Sequence, residues 1–197
     1  DEVFAERVKP MLDAIQPYHL HVGLDEIDAF HGPGLTHDRI LAQHIEQIEE
    51  RVMPVSPNTR LMMWSDVLNP FHDTGRPGAV GAIRRIPGDV VQCPWFYLDG
   101  DEANITRTIE YLAEHDVTFL GASWHDQAIA HFWACQLATA RAAGLPVIGQ
   151  IATNWNRGDR RADPIVAEFA WTAAKPNRPA DLWYDSDVMQ KAHGLLP

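Results

Sequence analysis

The chain has 197 residues, of which 46% are hydrophobic, so it can bury one sizeable core, and we expect a single domain over 1–197. Its formal net charge is −11 with histidine neutral, whereas binding to a phosphate backbone requires a basic surface, so we expect no nucleic-acid partner. No apolar run approaches the ~20 residues that span a bilayer, so we expect no membrane partner either.

Apolar periodicity and turn residues predict alternating helices and strands. The first predicted helix has an apolar stripe of Val3, Phe4, Val8, Leu12 and Ile15 and a kink at Pro10. In chain order the predicted elements are helix 2–16, strand 18–24, helix 37–53 capped by Thr36, strand 60–68, helix 78–85, strand 90–97, helix 102–115, strand 117–124, helix 126–143, strand 146–155 and helix 163–173, followed by a Pro-rich tail.

Five predicted strands each lead into a helix, which is the pattern of βαβ units with a parallel sheet. The chain has no GxGxxG or Walker loop of the kind that phosphate-binding doubly wound folds carry after a strand. Instead, most strands end in polar or aromatic residues, and active sites of (β/α)8 TIM barrels lie at that rim. We therefore predict an α/β fold that holds about five βα units of such a barrel, strands four to eight.

A chain with only five of eight strands would leave two open edges and half a pocket. The sequence also begins DEVFAERV, without Met or a signal-like segment. We therefore expect the rest of the barrel to come from a longer chain or from a second chain. Cys93 and Cys135 form neither a metal spacing nor a disulfide framework, so the compartment stays unknown, with the cytoplasm slightly favoured.

The stretch HVGLDEI (21–27) leads an apolar segment directly into two carboxylates, Asp25 and Glu26. Such a pair is often a solvated loop or the start of a helix, where acids suit the helix dipole. No predicted helix starts at residue 25, and Gly23 suggests a close backbone approach in a crowded site. Adjacent side chains of a strand point to opposite faces, so both acids can serve one ligand only where the strand ends and the backbone turns.

Three tryptophans at predicted strand ends, Trp64, Trp124 and Trp155, could be core residues. The first two are each followed two positions later by an aspartate, and aromatic platforms flanked by carboxylates suit the apolar faces and polar rims of sugars. His19 and His21 share a strand face and could bind a metal, as in metal-dependent barrel hydrolases, but no ordered set of further ligands completes that site. We interpret them as hydrogen-bonded core histidines and predict no metal and no cofactor.

The segment HVGLDEI resembles the H-x-G-x-D-E signature of family 20 glycoside hydrolases, the β-N-acetylhexosaminidases. Three later segments resemble the fifth, sixth and seventh strands of that family in the same order: MMWSDVL (62–68), WFYLDG (95–100) and SWHD (123–126). The resemblance covers most of residues 18–126 and fades at NWNRGD (154–159). Asp126 stands where the family usually has Glu.

The resemblance implies removal of terminal N-acetyl-β-D-hexosamine residues from an oligosaccharide or glycoconjugate. In this retaining mechanism the acetamido oxygen of the substrate attacks the anomeric carbon. Glu26 would be the general acid and then the base, with a pKa raised in a water-poor pocket beside Asp25. Asp25 would accept a hydrogen bond from the acetamido N–H, and Tyr97 would donate to the acetamido oxygen.

The same resemblance assigns the substrate-binding residues. Trp64 and Trp124 would wall the acetamido pocket, Asp99 and Asp126 would hold sugar hydroxyls, and Trp155 is a further platform at the last strand. His21 would support the acid pair, and Asp66 would either bind sugar or orient its neighbours. The alternatives are a degenerate relative that binds sugar without turnover and a metal-dependent hydrolase that uses His19 and His21.

Overall fold

The structure is a computed structural model that describes residues 2–27, 34–73, 79–124 and 126–153. It is α/β, as predicted, and its five strands form one sheet in the order β1-β2-β3-β4-β5. The chain divides into two compact units, Asp1–Gln92 and Cys93–Pro197. The prediction of a single domain over 1–197 stays a prediction.

The first unit begins with a short π-helix, Phe4–Val8, that continues into a regular helix. The elements that follow are α1 (Lys9–Ile15), β1 (His19–His21), α2 (His37–Val52), β2 (Arg60–Trp64) and two 3₁₀ segments, Asp66–Leu68 and Val80–Arg84. Strand β3 (Val91–Cys93) comes next and includes the boundary between the units.

The predicted apolar stripe of the first helix is wrong at both ends. Leu12 is fully buried, but Val3 is 67% exposed and Ile15 is 65% exposed. A π-helix has i→i+5 hydrogen bonds, so residues spaced for a 3.6-residue turn do not share one face over Phe4–Val8. Ile15 is the last residue of α1, where the helix ends at the left-handed Gln16. Thr36 is the N-cap residue of α2, as predicted, but its hydroxyl donates to Asp38 and its side chain bonds to no helix N–H.

Strands β1 and β2 pair in parallel, with His21 opposite Met62. Two backbone bonds continue this pairing past β1, from Val22 N to Met62 O and from Trp64 N to Gly23 O. The core of the unit lies between α2 and the strands and contains buried residues at helical and strand spacing: Leu12, Leu41, Ile45, Val52, Leu61, Met63, Val67 and Leu68. This packing fixes the position of the β1 and β2 carboxyl ends.

The second unit contains α3 (Glu102–Glu114), β4 (Phe119–Ser123), α4 (Gln127–Ala142) and β5 (Val147–Ala152). Strands β4 and β5 pair in parallel with a register shift between Phe119 and Leu120. Strand β3 ends before Pro94, and pairing with β4 resumes only as an isolated parallel bridge from Trp95 to Ala122. The predicted helix 163–173 lies outside the described residues.

Gly121 lets α4 lie unusually close to the sheet. A Cβ at this position would lie 2.5 Å from Cε3 of Trp133 and 2.9 Å from Cδ1 of Leu137. Trp133 is fully buried, and its indole N–H donates to the carbonyl of Phe96 over 3.3 Å. The absence of a side chain at residue 121 therefore makes room for the largest buried side chain of the unit's described part.

Candidate active site

The two adjacent carboxylates follow β1 in a turn built from left-handed residues. Gly23 has φ 76°, Leu24 has φ 75° and Glu26 has φ 50°. Left-handed backbone costs roughly 1–2 kcal/mol for a residue with a Cβ, and such conformations concentrate at functional sites. The backbone therefore leaves the strand geometry where the two acids stand, which is the turn that a shared ligand requires.

No described residue makes the close backbone approach that was expected at Gly23. A Cβ at this position would meet no atom of the described residues within 4 Å. The glycine suits this position because its φ of 76° carries no steric penalty without a Cβ. Asp25 and Glu26 are themselves exposed, so the described residues do not form the water-poor pocket that was expected around Glu26.

Asp66 anchors the turn from the end of the neighbouring strand. Its carboxylate is fully buried, and Oδ2 accepts a hydrogen bond from the backbone N–H of Glu26 over 2.9 Å. The two residues are 40 positions apart in the chain. The sequence left two roles open to Asp66, binding sugar or orienting its neighbours. This hydrogen bond supports the second role.

His21 packs against Trp64, with ring centroids 4.4 Å apart. The Nδ1 atom of His21 accepts a hydrogen bond from the backbone N–H of Gly23 over 3.0 Å, which assigns the proton of the neutral ring to Nε2. Burial lowers the pKa of His21, and the nearby charge of Asp25 acts in the opposite direction. A neutral His21 therefore supports the turn and faces the indole of Trp64, which is only 9% exposed.

Aromatic side chains cluster after β3 and β4 in the second unit. Tyr97 and Trp124 make an edge-to-face contact with centroids 5.9 Å apart, and Trp95 stacks on Tyr97 with centroids 4.9 Å apart. All three are partly exposed, whereas the intervening Phe96 is buried. Sequence reasoning missed Trp95, although the alternation of Trp95, Phe96 and Tyr97 places the first and third on one side of an extended chain.

Asp101 is a second residue that sequence reasoning missed. Its Oδ2 accepts hydrogen bonds from the backbone N–H groups of Tyr97 and Leu98, over 3.1 and 2.9 Å. It precedes α3, and an Asp directly before a predicted helix is the signal that could have found it. Asp99, the predicted sugar ligand in this loop, is exposed.

Asp126 has a structural partner at the start of α4. Its Oδ1 accepts a hydrogen bond from the backbone N–H of Ile129 over 3.0 Å, which is an N-cap. This contact uses one carboxylate oxygen, and the predicted contact with sugar stays a prediction. Trp155, the remaining predicted platform, lies outside the described residues.

The described residues contain no group of three or more His, Cys, Asp or Glu side chains that could hold a metal ion. The Nε2 atoms of His19 and His21 are buried and have no hydrogen-bond partner in this part of the chain. Burial and, secondarily, the charge of Arg60 lower the pKa of His19. Because a metal needs several ligands, the histidine pair alone gives the metal-dependent hydrolase no site here.

The sequence was compared with models of known protein families and with curated proteins. No model of a known protein family matches the sequence, and a search of curated proteins finds no match. Within the described residues, no helix combines the length and the apolar character that a membrane span requires.

Proposed function

We propose that this protein is a glycoside hydrolase that removes terminal N-acetyl-β-D-hexosamine residues by retaining, substrate-assisted catalysis. The observation that supports this most is the turn after β1, where left-handed backbone at Leu24 and Glu26 presents two adjacent carboxylates to solvent. A buried carboxylate also fixes one backbone amide of this turn. The hydrogen bond from Glu26 N to Asp66 provides that attachment.

The proposed roles follow the family resemblance. Glu26 protonates the leaving oxygen and then activates water, while Asp25 accepts a hydrogen bond from the acetamido N–H and stabilises its developing positive charge. Tyr97 donates its hydroxyl to the acetamido oxygen and holds the attack geometry. The partly exposed indole of Trp124 offers an apolar surface of the kind that an acetamido methyl group requires.

The barrel architecture belongs to the same proposal. The sheet order follows the chain order without reversal, which is the order of strands in a barrel, whereas doubly wound sheets reverse at a switch point. We propose that the remaining strands come from a longer chain or a second chain. They would also cover Asp25 and Glu26, whose exposure leaves them without the desolvation that acid–base catalysis at neutral pH needs.

Hydrolysis of an aryl N-acetyl-β-glucosaminide by the intact protein tests the proposal. Glu26→Gln should lower kcat by about a thousandfold while substrate affinity is kept, because the amide cannot transfer a proton. Glu46→Gln, which changes an exposed glutamate on α2, is the matched control and should keep full activity. Full activity of the Glu26→Gln protein would refute the acid role.

A sugar-binding relative without turnover is the second candidate, and the exposure of both acids favours it. It predicts a change in tryptophan fluorescence on titration with N-acetylglucosamine and no release of the aryl group. Hydrolysis that depends on Glu26 would exclude it. Hydrolysis that a chelator abolishes would support the metal-dependent alternative instead.

A further inference from the structure

The carboxylate of Asp66 is buried at the end of β2. The residue is 0% exposed and begins the 3₁₀ segment Asp66–Leu68, whose other two residues are also 0% exposed. The backbone N–H of Asn69 closes this segment by donating to Asp66 O over 3.1 Å. Asp66 is therefore part of a buried, hydrogen-bonded support at the end of β2.

The backbone at Glu26 needs such a support. Its φ of 50° is unfavourable for a residue with a side chain, and its side chain is exposed to water. The bond from Glu26 N to Asp66 Oδ2 at 2.9 Å joins this strained residue to the buried segment. A buried polar group is costly to leave without its partner, so this bond is well suited to hold an unfavourable conformation in place.

We propose that Asp66 is a positioning residue that fixes the backbone of Glu26, and thereby the direction of its carboxyl group, without touching the substrate. This inference rests on the proposed function only for its effect on turnover. The structural part, that Asp66 restrains the turn 23–26, is independent of any reaction.

The test compares Asp66→Ala and Asp66→Asn with Ser65→Ala in the intact protein. Ser65 is the neighbouring buried residue, and its Oγ has no hydrogen-bond partner among the described residues, so its loss controls for a change in local packing. The first readout is hydrogen exchange of the Glu26 amide by NMR. Asp66→Ala should raise its exchange rate by about tenfold or more, because the acceptor is removed. Asn retains an acceptor oxygen, so Asp66→Asn should stay within about threefold of the parent, as should Ser65→Ala.

The second readout is steady-state kinetics. Asp66→Ala should lower kcat by about a hundredfold with KM within about threefold, and Asp66→Asn should recover most of kcat, since misplacement of the acid affects the transition state more than binding. A rise in KM with unchanged kcat would overturn the proposal and make Asp66 a sugar ligand. An unchanged Glu26 exchange rate in Asp66→Ala would overturn it as well.

Two further outcomes are also decisive. If Asp66→Ala does not fold, Asp66→Leu, which has a similar size and also lacks an acceptor, takes its place: a fast-exchanging Glu26 amide supports the proposal, and one as protected as in the parent overturns it. If the intact protein hydrolyses no hexosaminide, the proposed function fails, whereas the exchange comparison still decides whether Asp66 restrains Glu26.

Discussion

The imidazole of His21 packs against the indole of Trp64, with ring centroids 4.4 Å apart and planes inclined by 53°. The contact joins the last residue of β1 to the last residue of β2, directly below the turn that carries the acid pair. It also removes His21 from water, which lowers the pKa of the imidazole despite the opposing charge of Asp25.

The lowered pKa of His21 predicts a loss of stability in mild acid. Below the ordinary histidine pKa of about 6.5 the unfolded chain binds a proton that the folded chain resists, so the free energy of unfolding should fall as the pH falls from about 7.5 to about 5.5. His21→Asn should make that fall smaller. Part of the fall should remain, because burial also lowers the pKa of His19 and of His131.

Urea unfolding at several pH values measures how the free energy of unfolding changes with pH. His44→Asn, which alters an exposed side chain on α2, is the control. An equal slope in His21→Asn and the parent would contradict the prediction.

Asp101 should control both the stability of the loop after β3 and the position of Tyr97. Asp101→Ala removes the acceptor of two backbone N–H groups, so we expect a destabilisation of about 1–3 kcal/mol in urea unfolding. Asp99→Ala, two residues earlier and exposed, should change stability by less than about 0.5 kcal/mol. If the two variants unfold alike, the bonds from Asp101 do not hold this loop.

Asp126 allows its capping role and its predicted sugar contact to be separated. Asp126→Ala should destabilise the protein by about 1 kcal/mol through loss of the N-cap, whereas Asp126→Asn should not, because Asn caps as well as Asp. If Asp126 also holds a sugar hydroxyl, the Asn variant should show a raised KM at unchanged stability. Thermal unfolding and kinetics on the same samples measure both. An unchanged KM in the Asn variant would leave Asp126 with its structural role alone.

The sequence predicts the order of elements because apolar periodicity is local. It overestimates the strands: the predicted strand 60–68 ends as β2 at Trp64, and the predicted strand 90–97 ends as β3 at Cys93. After β2 the carboxylate of Asp66 bonds to the backbone of Glu26, and after β3 the pairing with β4 is reduced to an isolated bridge. Because the partner of Asp66 is 40 positions away, no local pattern could reveal it.

In the candidate site, too, some residues were predicted from the sequence and others were not. The carboxylate pair, Tyr97 and Trp124 were predicted from spacing and resemblance, and their roles stay predictions. Trp95 was missed because its position in an apolar strand is typical of a core residue. Asp101 was missed because an Asp before a helix is common. No described residue crowds Gly23, and a sequence cannot distinguish a glycine needed for its φ from one needed for close packing.

The contact between Gly121 and Trp133 links a strand interior to the loop that carries Tyr97. An alanine at 121 would push the indole, and the indole holds the carbonyl of Phe96, which precedes Tyr97 in the chain. A genetic screen for inactive variants should therefore recover changes at this glycine, even though it bears no chemical group of its own. The missing side chain at Gly121 thus affects an aromatic ring in the loop after β3, through the indole that packs on the glycine.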